Sequence, residues 1–279
     1  DGKDIVRAFT NLFAQGNVQV LVHHSVKQIE KQGNEFLIFV PNQKQFVVDR
    51  VVLTLGGQAY RQTGSTGDGY SLAEHLGHTI TPLAASLNSF FTSETWPKEL
   101  AGLSFEQATV TAHRGKGSSY TGPILFTHKG VTGPAVFAVS SLVAFEQYSA
   151  KEPLAISIDV LPQFSLDEVQ KKLHTFMRES PKKTFKNTVH TVVPLSLSVV
   201  ACQQLSIPLE KNNADMSAKQ VDALCAWLKA IPLSVIARGA GDEFVTAGGV
   251  ELSEVDPKTM ESRICPGLYF GGEILNIDG

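Results

Sequence analysis

Three glycine-bearing stretches of this chain carry residue types that suit a phosphate- or polyol-bearing ligand. The first is Thr54-Leu55-Gly56-Gly57, where the apolar run Val51-Val52-Leu53 enters two glycines. In open α/β sheets ligands bind beside the C-terminal ends of strands, and glycine lets backbone N–H groups approach a ligand closely. Taken alone, these four residues read first as a tight turn with no ligand. The second stretch is TGSTGDGY, residues 63–70, which leads into a helical pattern over Ser71–Leu76. A helix N-terminus offers free N–H groups and a positive dipole end. Asp68 either caps that helix or accepts a hydrogen bond from a ribose-like hydroxyl. The third is the closing run GLYFGGEILNIDG, residues 267–279, in which Leu268-Tyr269-Phe270 enters Gly271-Gly272-Glu273. A carboxylate directly after a strand–Gly–Gly turn can accept hydrogen bonds from a polyol, and Ile274 begins a segment whose N–H groups could face a pyrophosphate. Neither a Walker-type phosphate loop nor a GxGxxG fingerprint occurs in the chain.

Other titratable residues are weaker candidates. His128, in FTHKG, has the residue type for a general acid or base; a strand-end histidine bonded to backbone accounts for it as well. Lys129 reads as solvated. His23 and His24 are adjacent in an expected strand and would face opposite sides, so they cannot share a metal. His75 and His78 straddle a helix end, a poor metal arrangement, and no metal is expected. Asp242-Glu243 reads as a solvated turn, and Cys265 as packing. Arg114 and Lys116 either touch an anionic substrate or decorate an exposed hairpin tip at 115–119.

The elements that must position these residues follow from periodicity. Residues 3–15 form an amphipathic helix, with Ile5, Ala8, Phe9, Leu12 and Phe13 on one face and Gly16 as the stop. Strands are expected at Val18–Val22, Val26–Glu30, Glu35–Val40, Phe46–Val48 and Arg50–Leu55. Gly33-Asn34 and Pro41-Asn42 mark turns, and Val51-Val52-Leu53 reads as a strand buried on both faces. Gly77 stops the helix at 71–76. From Leu83 to Val160 the chain is rich in β-branched and aromatic residues, with at most one helix, opened by Gly133-Pro134. Ser165 with Glu168, and Ser217 after it, mark helix starts in a helical stretch, with Trp227 on an apolar side. Strands return at Phe244–Thr246 and Gly267–Phe270. This order predicts an α/β nucleotide-binding domain interrupted by a long insertion: 1–84 its first part, 85–162 a β-rich module, 163–243 a helical module, and 244–279 its second part.

Composition sets bounds. With 43% hydrophobic and 18% charged residues the chain is an ordinary globular one. A net charge of −3 without a basic block gives no overall pull toward nucleic acid or an anionic membrane; only a patch assembled by the fold would. Cys202, Cys225 and Cys265 are odd in number and form no CxxC pair, which suits reduced thiols in the cytoplasm. The opening residues show no signal-peptide pattern. The most apolar run, Val131–Phe145, is shorter than the roughly 20 residues a membrane span needs. A start at Asp1 inside a helical pattern and a stop at Asp278-Gly279 inside a motif suggest an internal piece of a longer protein.

Residues 246–279 (TAGGVELSEVDPKTMESRICPGLYFGGEILNIDG), 54–83 (TLGGQAYRQTGSTGDGYSLAEHLGHTITPL) and 125–136 (LFTHKGVTGPAV) together resemble the BaiN/YhiN-type flavoproteins, also described as NAD(P)/FAD-dependent or aminoacetone oxidase-like oxidoreductases. The resemblance implies a Rossmann-like FAD-binding domain, partial in this chain and interrupted by a β-barrel-like part and a small helical part. It implies a GxGxxG unit upstream of Asp1 and a glycine-containing segment beyond Gly279. Along the cofactor cleft it places Gly56, Gly57, Thr66, Gly67, Asp68, Gly69, Gly248, Gly249, Gly272 and Glu273, with the backbone of Val22 at the adenine. Thr54-Leu55-Gly56-Gly57 stands where the family commonly has ATGG, and Gly271 and Asn276 stand where it often has alanine and aspartate. The implied activity is hydride transfer, with NAD(P)H as a possible donor. The acceptor is a small molecule or a base of ribosomal RNA, and the RNA option calls for a basic face on the insertion. A competing expectation is that this chain alone is a non-catalytic module, colourless because it cannot hold FAD.

Overall fold

The computed structural model describes residues 2–41, 44–114, 118–239 and 244–277. In chain order the elements are α1 (Gly2–Gln15), β1 (Gln28–Gln32), β2 (Glu35–Phe39), β3 (Gln45–Val48), β4 (Val51–Leu53), α2 (Asp68–His75), β5 (Ala84–Ser86), β6 (Phe90–Thr92), β7 (Ser104–Ala112), β8 (Ser118–Thr127), β9 (Gly130–Thr132) and α3 (Pro134–Leu142). Then follow β10 (Leu154–Asp159), α4 (Leu166–Glu179), α5 (Phe185–Val189), α6 (Leu195–Gln204), α7 (Ala218–Lys229), β11 (Ile231–Arg238), β12 (Val245–Ala247) and β13 (Leu268–Phe270). The chain divides into two compact units. No described helix is long and apolar enough to cross a membrane.

The first unit takes residues 2–55, 68–80 and 250–275. Its β1–β2–β3 meander turns at Gly33-Asn34, as the sequence predicts, with Gln32 paired to Glu35 and Gly33 at φ 59°. Phe36 and Ile29 point into the core. β4 and β13 pair in parallel, Val51 with Leu268 and Leu53 with Phe270. Val51, Leu53, Leu268 and Phe270 are buried, but Val52 is 61% exposed. The expected burial on both faces therefore fails: no described element covers the second face of this two-stranded sheet. α2 ends as Gly77 predicts. Gly77 (φ 95°) donates to Glu74 O at 2.9 Å and His78 to Ala73 O at 3.0 Å, a Schellman motif.

Two sequence expectations fail at the start of this unit. Residues 18–22 form no strand, because no described strand offers them a ladder. His23 has φ 61°, a left-handed turn conformation a strand cannot use, so the two adjacent histidines lie in a turn. α1 forms with the predicted apolar face, yet Ile5, Phe9 and Leu12 are all more than half exposed.

The second unit holds residues 56–67, the described part of 81–249, and 276–277. Six strands close a barrel in the order β10-β11-β6-β9-β8-β7. Alternation along β7 sends Ala108, Val110 and Ala112 inward. β11 closes the barrel from within the span read as helical, pairing with β10 and β6. The Gly133-Pro134 start of α3 is as predicted, and α3 packs on β8. Helices α4 and α7 open with capping boxes: Ser165 Oγ accepts from Glu168 N at 3.3 Å while Glu168 accepts from Ser165 N at 2.7 Å, and Ser217 with Gln220 does the same. Val169, Leu173, Phe185, Leu197 and Leu224 join the barrel interior in one continuous core, each such side chain contributing about 1.5–3 kcal/mol by burial. Trp227 packs on that core with its ring 5.8 Å from Trp96. β5 and β12 form a separate antiparallel pair, Thr246 opposite Ala85.

Candidate functional site

In the first unit the two parallel strands end side by side. Gly271 N donates to Leu53 O at 3.1 Å, so the chain leaving β4 as Thr54-Leu55 and the chain leaving β13 as Gly271-Gly272-Glu273 start from one edge. The first turn of α2 is seated on the same edge. A Cβ built on Gly69 would stand 2.7 Å from Ile274 Cδ1 and 3.2 Å from Leu55 Cβ. Gly69 is buried for this reason, while Asp68 beside it is exposed. Gly272 (φ 81°) has nothing within 4 Å of where a Cβ would stand, so its backbone faces open space. Glu273 is partly exposed, and Ile274 and Leu275 are buried beneath it. Adjacent parallel strands ending in glycine turns, with a helix N-terminus against them, suit an anionic, hydroxyl-rich dinucleotide.

Val22 belongs to this unit but to no strand. Its carbonyl is bonded by His24 Nδ1 at 2.8 Å, and its side chain is 68% exposed.

The remaining predicted cleft residues belong to the second unit. Ser65 Oγ donates to Gly57 O at 2.9 Å, which folds the Gly56–Gly67 loop back on itself. Gln58 N and Ala59 N both donate to Thr246 Oγ1, at 2.7 and 3.2 Å, and so tie that loop to β12. Thr66 N donates to Gly64 O. Gly67 carries the Gln58 side chain directly over it: a Cβ there would be 2.7 Å from Gln58 Cγ. Gly248 and Gly249 are buried. A Cβ on Gly248 would fall 2.0 Å from Pro82 O, and Thr81 N donates to Gly249 O at 2.8 Å. These two glycines join chain segments closely.

The weaker candidates separate. His128 is exposed in the two-residue turn between β8 and β9. Arg114 is paired with Glu152 at 2.6 Å. Lys116, most of the 115–119 tip, Asp242-Glu243 and Asp278-Gly279 lie outside the described residues. All three cysteines are buried; burial pushes Cys202 and Cys225 up to about 11 and raises Cys265 too. Among the described residues no cluster of histidine, cysteine and carboxylate could hold a metal.

One cluster is absent from the sequence reading. His78, 4% exposed, bonds Glu254 Oε2 through Nδ1 at 3.1 Å and Ser262 Oγ through Nε2 at 2.8 Å. Glu254 also accepts from Thr79 N and Oγ1, at 2.9 and 2.7 Å. Ser262 Oγ accepts from Cys265 N at 2.7 Å and Ile264 N at 3.1 Å. With both lone pairs so engaged, the Ser262 hydroxyl donates to His78 Nε2, which leaves the imidazole proton on Nδ1 facing Glu254. The trio has the residue types of an acyl-transfer triad, but its serine is capping backbone in a buried turn. Glu254 and Ser262 each lie more than 170 residues from His78 in sequence, so no local signal could have revealed the cluster.

The described chain thus has a parallel β4–β13 pair with α2 in its first unit and a six-stranded barrel with helices in its second. The chain matches the HI0933-like protein Rossmann domain over residues 1–279 and belongs to that family, in agreement with the resemblance drawn from its sequence. It is 29% identical over 265 residues to the 3-dehydro-bile acid delta(4,6)-reductase of Clostridium scindens, covering 94% of this chain and 64% of that protein. It is 31% identical over 267 residues to the ribosomal RNA dihydrouridine synthase of Haemophilus influenzae, covering 94% and 63%. Its identity to the enzyme of the same name from Escherichia coli is 28% over 285 residues, covering 99% and 66%. The chain therefore spans a little under two thirds of the length of these relatives.

Proposed function

We propose that this chain is part of an FAD-dependent oxidoreductase that moves hydride from a nicotinamide or organic donor to an unsaturated acceptor. The observation that carries this reading is the shared edge of β4 and β13, where Gly271 N meets Leu53 O and the first turn of α2 packs on Leu55 and Ile274. Residues fitted to the cofactor are Gly272, whose backbone faces open space, the α2 N-terminus at Asp68-Gly69, and Glu273. Gly56, Gly57, Thr66, Gly67, Gly248, Gly249 and the Val22 backbone extend that assignment along the chain. When bound, the flavin supplies the hydride chemistry, while the protein binds and orients it and tunes its electronics. The names of the relatives support a common reaction, reduction of a carbon–carbon double bond conjugated with a carbonyl, in a steroid in one case and a uracil ring in the other. Three buried free thiols support the cytoplasmic setting.

The GxGxxG unit that would hold the pyrophosphate is not in this sequence, so the chain on its own is expected to be colourless and inactive. The test is an absorbance scan of this chain and of a longer protein that contains it together with a GxGxxG unit. A yellow longer protein that NADPH bleaches without air supports the reading. A colourless one that takes up no added FAD ends it.

Between the two acceptor classes, one surface favours RNA. Residues 163–230 carry nine lysines and arginines against six carboxylates in a chain of net charge −3. Lys171, Lys186 and Lys229 are paired with Asp167, Glu210 and Asp159. Arg178, Lys182 and Lys183 are exposed at the end of α4 with no ion pair among the described residues. The turn bearing the two lysines is held by Asn213, whose Nδ2 donates to Ser180 O at 2.7 Å and whose N donates to Lys183 O at 2.9 Å. Exposed Phe176 lies beside them in sequence, a residue type on which bases stack.

A further inference from the structure

The second unit contains a small cavity of about 180 Å³ lined by Gln58, Arg61, Leu83, Ala84, Ala85 and Thr246. Ligand pockets for whole small molecules run from about 300 Å³ upward, so this one has room for a single chemical group. Its one charged lining residue is Arg61, which opens the 3₁₀ turn Arg61–Thr63. No carboxylate is paired with Arg61 among the described residues.

The guanidinium is held in place. Arg61 Nη2 donates to Gln58 Oε1 at 2.6 Å. Gln58 is itself fixed at both ends: its N–H is bonded to Thr246 Oγ1 at 2.7 Å, and its side chain lies flat on Gly67, where a Cβ would come within 2.8 Å of Nε2. Gly67 has φ 82°, so both its backbone conformation and its missing side chain serve the seat of Gln58. A long flexible cation is thereby pre-oriented, with donors left over after the bond to Gln58. A planar guanidinium with spare donors at the lip of a group-sized hollow recognises a carboxylate or a phosphate.

We propose that Arg61, positioned by Gln58, anchors the anionic group of a diffusible reaction partner in this cavity. Two carriers have the chemistry: a nicotinamide dinucleotide through a phosphate, or the acceptor through its own carboxylate or phosphate. The choice of carriers rests on the oxidoreductase reading; the anion site itself does not.

The test is calorimetric titration of the chain, with no flavin added, against NADP⁺, NAD⁺, inorganic phosphate and acetate. NADP⁺ binding more tightly than NAD⁺, with phosphate competing, identifies the dinucleotide's 2′-phosphate as the occupant. Phosphate or acetate binding with no preference for NADP⁺ assigns the site to the acceptor. In either case Arg61→Gln is expected to weaken binding by about tenfold or more. Arg61→Lys should recover part of the loss, and Gln58→Ala should lose a few-fold because the guanidinium is no longer held. Arg61 is exposed, so the two Arg61 variants should melt as the parent does. The proposal is overturned if no probe binds more tightly than about 10 mM, or if Arg61→Gln binds every probe as the parent does. Loss of the flavin reading leaves these titrations untouched, so the two ideas fail separately.

Discussion

His78 and Glu254 meet at 3.1 Å inside the first unit, with the imidazole fully buried and the carboxylate only 20% exposed. The contact joins the loop after α2 to the segment leading into β13, and the Phe270 ring covers it edge-on with its centroid 4.7 Å from that of His78. It therefore ties the last turn of α2 to the strand that carries Gly271-Gly272-Glu273. Replacing His78 with leucine would leave Glu254 short of one donor and the Ser262 hydroxyl without its acceptor. The expected cost is about 2–4 kcal/mol, read as a lower urea midpoint at unchanged slope. A loss below about 0.5 kcal/mol would mean that the network contributes nothing to the fold.

The same pair sets a pH dependence. Burial lowers the affinity of His78 for a proton below its ordinary 6.5, and Glu254 offsets this only in part. For Glu254, burial acts to raise the value, but the bonds from Thr79 and His78 together outweigh it and leave it below 4.5. A histidine with a depressed folded value takes up its proton more readily in the unfolded chain. Its stabilising contribution is complete above about 6.5 and declines as pH falls through and below that value. The Glu254 contribution is present above about 4.5 and is lost as pH falls through its lowered folded value. Stability of the parent should fall between pH 7 and pH 5 with a slope of up to about 1.4 kcal/mol per unit, and His78→Asn should flatten that segment. Equal slopes in parent and variant would assign the dependence to other groups.

Two glycines of similar sequence context should respond in opposite ways. At Gly248 a Cβ would collide with Pro82 O at 2.0 Å, a backbone atom that cannot move alone. Gly248→Ala should cost more than about 3 kcal/mol, or prevent folding of the second unit. At Gly272 there is open space, so Gly272→Ala carries only the penalty of a left-handed residue, about 1–2 kcal/mol. Gly272→Ala should fold and, in a longer flavin-binding protein, weaken retention of the flavin on dilution. Thermal melts of the two variants check the first contrast and flavin release checks the second.

If RNA is the acceptor, the end of α4 should behave as a phosphate contact. Replacing Arg178, Lys182 and Lys183 with glutamine should weaken binding of a short single-stranded RNA and reduce the salt slope by roughly two, at about 0.7 per phosphate. Phe176→Ala should weaken binding with no change of slope. An unchanged slope in the triple variant would shift the assignment toward a small-molecule acceptor.

Local chemistry by itself determined much of this protein. Ser165 and Ser217 with their partners three residues on specify helix starts, because a capping box closes within one turn. Gly33-Asn34 and Gly77 specify a hairpin and a helix stop, because the backbone conformations needed there favour glycine. The motifs at 54–57, 63–70 and 267–279 marked strand and helix ends for the same reason. Tertiary structure decided the rest. Among the described residues, Val18–Val22 has strand composition but no strand to pair with, and Val52 has a buried strand's composition but no covering layer. Ile231–Arg238 was hidden next to a helix, because barrel closure depends on β6 and β10, far away in sequence. The His78–Glu254–Ser262 network and the bond that ties Gln58, under Arg61, to Thr246 arise from groups brought together across long stretches of chain, and no periodicity encodes such meetings.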